Sequence, residues 1–340
     1  MTRAGRLLAA AIVAGIISIS SAAQAQLVTA VDAVGITVGD MDRALAFYTG
    51  VLSFSVVSDR EVAGPEWEHL TGIFGARLRI ARLELGDETV ELIQYLTPRG
   101  RPIPADSRSN DRWFQHVAII VSDMDRAYAV LRRNKVRYAS TEPQTLPSWN
   151  PKAAGIRAFY FKDPDGNPLE ILQFPSGKGE MRWQAKDRLF LGIDHTAIVV
   201  ADTAASLALY HDRLGLEVVG ESENYGPEQE HLNAVFGAHL RITTLRAASG
   251  PGIEFLEYLA PTDGRPAPAD TRANDLWHEQ VELVTADIAA TADTLRRAQA
   301  PFVSSGIAIV ADDAADERPE FMIRDPDGHA LLLTGQGETP

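Results

Sequence analysis

Residues 160–170 read Tyr-Phe-Lys-Asp-Pro-Asp-Gly-Asn-Pro-Leu-Glu, and Asp163-Pro-Asp-Gly166 returns as Asp325-Pro-Asp-Gly328. Asp-Pro-Asp-Gly is a tight-turn signal, because proline presets the first turn residue and glycine accepts the left-handed one. Each copy precedes an apolar run, Leu169 to Phe174 and Ala330 to Thr334, that reads as a closing strand. Upstream of each turn lies a β-branched run. Val117-Ala-Ile-Ile-Val121 precedes the first copy and Val281-Glu-Leu-Val284 the second, and Val34-Gly-Ile-Thr-Val38 and Thr196-Ala-Ile-Val-Val200 are similar. An aspartate cap and a helical pattern follow each run, most clearly at Asp40-Met-Asp-Arg-Ala-Leu-Ala-Phe-Tyr48 and Asp123-Met-Asp-Arg-Ala-Tyr-Ala-Val-Leu131. Each quarter of the chain therefore reads strand, helix, then several strands.

The quarters are joined into a longer repeat. Gly64-Pro-Glu-Trp-Glu-His-Leu70 recurs as Gly226-Pro-Glu-Gln-Glu-His-Leu232, and Phe74-Gly-Ala-Arg-Leu-Arg-Ile80 as Phe236-Gly-Ala-His-Leu-Arg-Ile242. Gly100-Arg-Pro-Ile-Pro-Ala-Asp106 recurs as Gly264-Arg-Pro-Ala-Pro-Ala-Asp270. The expected organisation is a segment 1–25, a first domain 27–175 (modules 27–98 and 113–175), a polar linker 176–188, and a second domain 189–335 (modules 189–261 and 276–335).

The segment 1–25 has the layout of a secretory signal peptide. Arg3 and Arg6 precede an apolar run from Leu7 to Ile17, and Ala23-Gln24-Ala25 supplies the small-residue cleavage pattern. The run is short of the roughly 20 residues of a membrane span. Cleavage before Gln26 would leave 30 basic against 46 acidic residues, an acidic mature protein that is periplasmic or secreted, with no membrane partner. A net charge of −14 also argues against nucleic-acid binding, which needs basic patches. The chain has no cysteine, which removes disulfides, thiol catalysis and thiolate metal ligands. Phosphate-loop, dinucleotide and nucleophile-elbow motifs are absent.

With an Asp-Pro-Asp-Gly turn running into a strand glutamate and histidines on first strands, residues 27–335 resemble the vicinal oxygen chelate superfamily. That superfamily contains glyoxalase I, bleomycin-resistance proteins and extradiol dioxygenases. The resemblance implies an α+β fold of four βαβββ modules forming two cup-like half-barrels, each pair of modules able to hold a divalent metal (Fe, Ni, Zn, Mn or Co). It assigns ligands to the first and last strands of each module: Ala33 and Glu91, His116 and Glu170, His195 and Glu254, Gln280 and Leu332. Histidine and carboxylate donors suit these metals, and a glutamate inside an apolar strand is costly to bury unpaired. Pairing neighbours within a half gives two sets of three ligands. Pairing the second module with the third gives one complete set, His116, Glu170, His195 and Glu254, and leaves Ala33, Glu91, Gln280 and Leu332 as a decayed one. The second arrangement accounts for both losses together.

Glu170 and Glu254 are also candidate proton carriers. His69 and His231, repeated in the Glu-His-Leu stretch, are candidate acid/base groups or simply part of a polar helix start. Arg79 and Arg241 read as anion contacts or surface pairs. Tyr160 through Glu170 resembles the closing half of the extradiol dioxygenase signature, but residues 153–160 lack its acid/base histidine. The function expected is a metal-dependent isomerase, lyase or dioxygenase acting on a small oxygenated substrate, as a monomer or homodimer. The alternative is a binding protein that sequesters a small molecule without chemistry.

Overall fold

The computed structural model describes residues 27–311 and 317–336; the signal-peptide expectation lies outside them. The first module comprises β1 (Val28–Thr37), α1 (Met41–Gly50), β2 (Ser55–Ala63), α2 (Pro65–Thr71), β3 (Arg77–Leu85) and β4 (Glu88–Thr97). The second comprises β5 (Gln115–Val121), α3 (Met124–Arg133), β6 (Arg137–Tyr138), β7 (Gln144–Thr145), β8 (Arg157–Lys162) and β9 (Pro168–Gln173). The third is β10 (Phe190–Val200), α4 (Thr203–Tyr210), β11 (Glu217–Tyr225), α5 (Pro227–Asn233), β12 (His239–Arg246) and β13 (Gly252–Ala260). The fourth is β14 (Glu279–Thr285), α6 (Ile288–Arg297), β15 (Ala308–Ala311), β16 (Glu317–Arg324) and β17 (Ala330–Gly335).

Each first strand passes directly into a capped helix. Asp40, Asp123, Asp202 and Asp287 accept from the backbone N–H three residues on, at 2.9–3.1 Å, satisfying one of the orphan donors of a helix start. The helices bury a single stripe, Met41, Ala44 and Tyr48 on α1 and Met124, Ala127 and Leu131 on α3. Each fully buried Met or Leu contributes roughly 1.5–3 kcal/mol. The Asp-Pro-Asp-Gly turns close as expected. Asp163 Oδ1 takes the N–H groups of Asp165, Gly166 and Asn167, and Asp325 Oδ1 those of Asp327, Gly328 and His329.

The sheets pair modules across the halves. An eight-stranded sheet runs β15-β16-β17-β14-β1-β4-β3-β2 and joins modules one and four. A nine-stranded path runs β11-β12-β13-β10-β5-β9-β8-β6 and joins modules three and two, with β7 on β8. First strands meet antiparallel at each centre, β1 on β14 and β10 on β5. Of the two pairings the sequence left open, the sheets adopt the crossed one. The cores between helices and sheets lie mainly within the halves, with Phe190 and Ile193 entering the first and Val28 and Val31 entering the second. One core gathers α1 and α3 residues with Val34, Val117 and Phe161, and the other gathers Leu209, Leu295, Phe255 and Leu331. The turns reinforce this, since Asp165 accepts from Gly39 N–H at 3.1 Å and Asp327 from Ala201 N–H at 3.0 Å. Each half is thus a packing unit, while each cup needs both halves.

The connections 98–114 and 261–278 clasp one another. Arg101 bonds Asp275 and Asp270, and Arg265 bonds Asp111 and Asp106, at 2.6–3.0 Å. Each guanidinium also lies over an indole, Arg101 on Trp277 at 4.7 Å and Arg265 on Trp113 at 4.8 Å.

Candidate metal centre

Register decides which side chains meet in the nine-stranded sheet. Ala118 lies opposite His195 on β10 and beside Glu170 on β9; Ala197 lies opposite His116 on β5 and beside Glu254 on β13. Two rows therefore cross the centre of one face, Glu170–Ala118–His195 and His116–Ala197–Glu254. The alanines leave room above them, and the longer side chains lean into it. Glu170 Oε2 is 3.1 Å from His116 Nε2 and 3.7 Å from His195 Nε2, and Glu254 Oε2 is 3.4 Å from His195 Nε2. Ligand atoms of His116, Glu170 and His195 lie within 4.8 Å of one another, all three residues buried. Glu254 joins through His195 and is more open, its side chain 20% exposed against 5% for Glu170.

The donors are held from behind. His195 Nδ1 faces Asp194 Oδ2 at 2.9 Å, which turns Nε2 toward the two glutamates. Asp194 Oδ1 in turn receives Trp183 Nε1–H at 3.1 Å and an Arg246 N–H at 3.0 Å. Burial alone would raise the Asp194 carboxyl, but His195 and Arg246, with the Trp183 N–H, hold it down at about 2. Burial alone would push the His195 imidazole down; Glu254, Asp194 and Glu170 outweigh it and hold it up at about 9. Thr244 donates its hydroxyl to Glu254 Oε1 at 2.8 Å. The segment 176–188, expected as a polar linker, supplies Trp183, which is buried in a short 3₁₀ turn (Met181–Gln184).

These residues fit a divalent ion. Metal–ligand bonds of about 2.0–2.2 Å place neighbouring donors roughly 3–4 Å apart, the spacing found here. His116 Nδ1 is buried with no hydrogen-bond partner among the described residues, so Glu170 at Nε2 is the side chain that meets the ring's nitrogens. The cup above the donors is a cavity of about 200 Å³, walled by Tyr160, Leu232, Ile242 and Leu256, with Lys152 and Asn224 among its polar residues. The Tyr160 ring centroid is 4.7 Å from that of His116, and burial first, then Glu170, raise its hydroxyl well above the ordinary phenol value.

The eight-stranded sheet repeats the rows with different residues. Leu332, Glu282 and Ala33 replace Glu170, Ala118 and His195, and Gln280, Gly35 and Glu91 replace His116, Ala197 and Glu254. Arg82 takes the register position of Thr244, opposite Glu91. Its guanidinium bonds Asp32 at 2.9 Å and lies 3.9 Å from both Glu91 and Glu282. A fixed cation thus stands in the metal's place, within a cavity of about 340 Å³. Glu91 and Gln280, secondary candidates by sequence, belong to this arginine-centred cup.

His69 and His231 are exposed and line neither cup. Their helices turn Trp67 and Leu70, or Gln229 and Leu232, into the cups instead, and the helical period carries the histidines to the outer side. Arg79 pairs with Asp59 and Asp42, and Arg241 with Glu257, as surface contacts. Sequence reasoning missed Asp194, although Asp32 occupies the same place in the first half and signals a repeated acid there.

Comparison with known proteins agrees with this geometry. The chain is 35% identical over 156 residues to a 2-epi-5-epi-valiolone epimerase of Actinomyces sp, covering 44% of this chain and 81% of that one. It is 28% identical over 144 residues to an uncharacterised protein, YwbC, of Bacillus subtilis (strain 168), covering 42% and 96%. Among solved structures, glyoxalase I from Zea mays superposes with a TM-score of 0.57 at 17% identity, covering 90% of this chain and 92% of that one, a likeness of fold. The family model for the Glyoxalase/Bleomycin resistance protein/Dioxygenase superfamily matches residues 30–171 and 192–333, and the chain belongs to that superfamily.

Proposed function

We propose that the nine-stranded sheet carries a single metal-dependent active site, held by His116, Glu170, His195 and Glu254, that moves a proton on a small substrate with adjacent oxygens. The convergence of His116, Glu170 and His195 donor atoms, with Glu170 and His195 lining the cup, carries this reading. A divalent ion bound there supplies Lewis-acid stabilisation of negative charge on the substrate oxygens. Glu254, the more open carboxylate, takes the proton from the carbon beside the carbonyl, and the C–H electron pair passes to the carbonyl oxygen. Return of that proton to either face or to the neighbouring carbon completes an epimerisation or isomerisation. Thr244 orients Glu254 by holding Oε1. Tyr160 stays protonated beside the site and can donate to a substrate oxygen.

The similarity to an epimerase supports a proton shift over ring cleavage. So does the cup itself, in which His195 is the lining histidine among the described residues, with the His116 ring 5.7 Å from it. Export through residues 1–25 is part of the proposal and rests on the sequence alone. The experiment uses the chain beginning at Gln26, stripped and reloaded with Fe, Ni, Mn, Zn or Co, with hydroxyacetone as probe in deuterated water. One bound ion per chain and deuterium incorporation by the loaded protein are expected, with Glu254→Gln slowing exchange by about 10²–10⁴-fold. No bound ion, or exchange no faster than in the stripped protein, would overturn the reading.

A further inference from the structure

A cavity of about 220 Å³ lies outside both cups, where connection 98–114 and residues 277–279 meet β6, the β8–β9 turn and the end of α5. Its walls carry four aromatic side chains, Trp113, Phe114, Tyr138 and Trp277. Part of its polar lining is left unsatisfied. Asn167 Oδ1, Ser107 Oγ and Glu279 Oε2 are each buried without a hydrogen-bond partner. Buried orphan oxygens are uncommon in native proteins, and three on one cavity need an explanation. Lys162 also lines it and forms no ion pair or hydrogen bond among the described residues.

The internal repeat provides a control. The pseudo-equivalent place across the clasp, which shares Trp113, Trp277 and Glu279 with the first and adds Arg324 and His329, has about 10 Å³. There the residues in place of Lys162, Asn167, Ser107 and Glu279 each make a side-chain hydrogen bond, while Gln115 Oε1 and His278 Nδ1 are left without a partner among the described residues. Arg324, in place of Lys162, donates to Gly328 O at 2.7 Å, and His329, in place of Asn167, meets Val199 O at 2.9 Å. Thr271, in place of Ser107, donates to Pro268 O at 2.6 Å and accepts from Trp277 Nε1–H at 3.2 Å. Gln115, in place of Glu279, donates to Thr196 Oγ1 at 3.0 Å. One fold thus builds the same corner twice, once nearly filled, with Arg324 and His329 bonded in place, and once open, with Lys162 and Asn167 Oδ1 facing the space unpaired.

We propose that the open corner is a second ligand site, independent of metal, for a small aromatic acid bearing a ring hydroxyl. The indole and phenyl faces take the ring, Lys162 takes the carboxylate, and the Asn167 and Glu279 oxygens take the hydroxyl proton. Burial pushes the Glu279 carboxyl well above the usual range, so it meets a neutral hydroxyl rather than a second anion. Ordered water is the competing occupant of a polar cavity of this size.

The test titrates 4-hydroxybenzoate into the metal-free full chain, followed by calorimetry and tryptophan fluorescence. Saturable one-to-one binding is expected, unchanged in His116→Ala. Lys162→Met should weaken it about tenfold or more, the loss of one charge-assisted contact. The double variant Asn167→His/Lys162→Arg installs residues that the fold already seats at the closed corner, and it should abolish binding while melting as the wild type does. Absence of saturable binding would overturn the proposal. Survival of binding in the double variant, or its loss in His116→Ala, would also overturn it, the last by locating the ligand in the cup.

Discussion

His278 shows how far one substitution between repeats changes a local environment. It occupies the position of Phe114, buried, with Nδ1 unpartnered and Nε2 3.4 Å from Gln280 Oε1. Burial first, then the Arg324 charge, push its imidazole down to about 3. An unfolded histidine titrates near 6.5, so the folded protein binds fewer protons throughout that window. Stability is therefore full above about pH 6.5 and falls as pH drops toward 3, at about 1.4 kcal/mol per pH unit. His278→Phe, copying the other half, should flatten that part of the acid limb in urea melts from pH 7 to 4; an unchanged slope would refute the assignment. Asp194 and Asp32 make the same point. The acid is repeated, but its partner is His195 in one cup and Arg82 in the other.

At the scale of elements, the strand rows explain why one cup carries metal donors and its twin does not. Parallel pairing of first and last strands puts residue types into rows that no linear motif displays. The row Glu170–Ala118–His195 becomes Leu332–Glu282–Ala33, moving the carboxylate one strand over and removing the imidazole. Arg82 then balances Asp32, Glu91 and Glu282. A fixed cation is present where the histidine donors are missing. Placing that guanidinium in the other cup should reverse the outcome: Thr244→Arg is expected to abolish metal binding by mass spectrometry while the far-ultraviolet circular dichroism stays as in the wild type. Retained stoichiometric metal would show that the Thr244 position lies outside the centre's reach. The capped helices and Asp-Pro-Asp-Gly turns were legible in the sequence because their signals are local, a side-chain oxygen three residues from the amide it accepts. The outward turn of His69 and His231 was not, because a seven-residue helix fixes its facing only by what it packs against.

The whole molecule is woven from two halves that share sheets, and strand ends of each half enter the core of the other. Residues 27–175 contain two of the four proposed donors, and without the second half they would leave the edges of β1 and β5 that meet β14 and β10 unpaired. Expressed alone, this half should bind no metal as a monomer, whereas mixing it with residues 189–335 during refolding should restore one site per pair. Metal bound by the isolated monomeric half would contradict the crossed pairing. The clasp between connections 98–114 and 261–278 is the other tie across the halves, and it seals Asp111 and Asp275 beneath Arg265 and Arg101.

The sequence alone determined the modules, their number, the turns and caps that bound them, the family, and the residue types able to hold a metal. All of these depend on contacts within a few residues or on self-similarity along the chain. The tertiary structure decided which modules share a sheet, that the retained donors converge while the lost ones surround an arginine, and that one corner of the repeat is open and its twin filled. Those outcomes depend on strand register and on side chains brought together from distant parts of the chain, where a repeat offers equivalent partners and only packing selects between them.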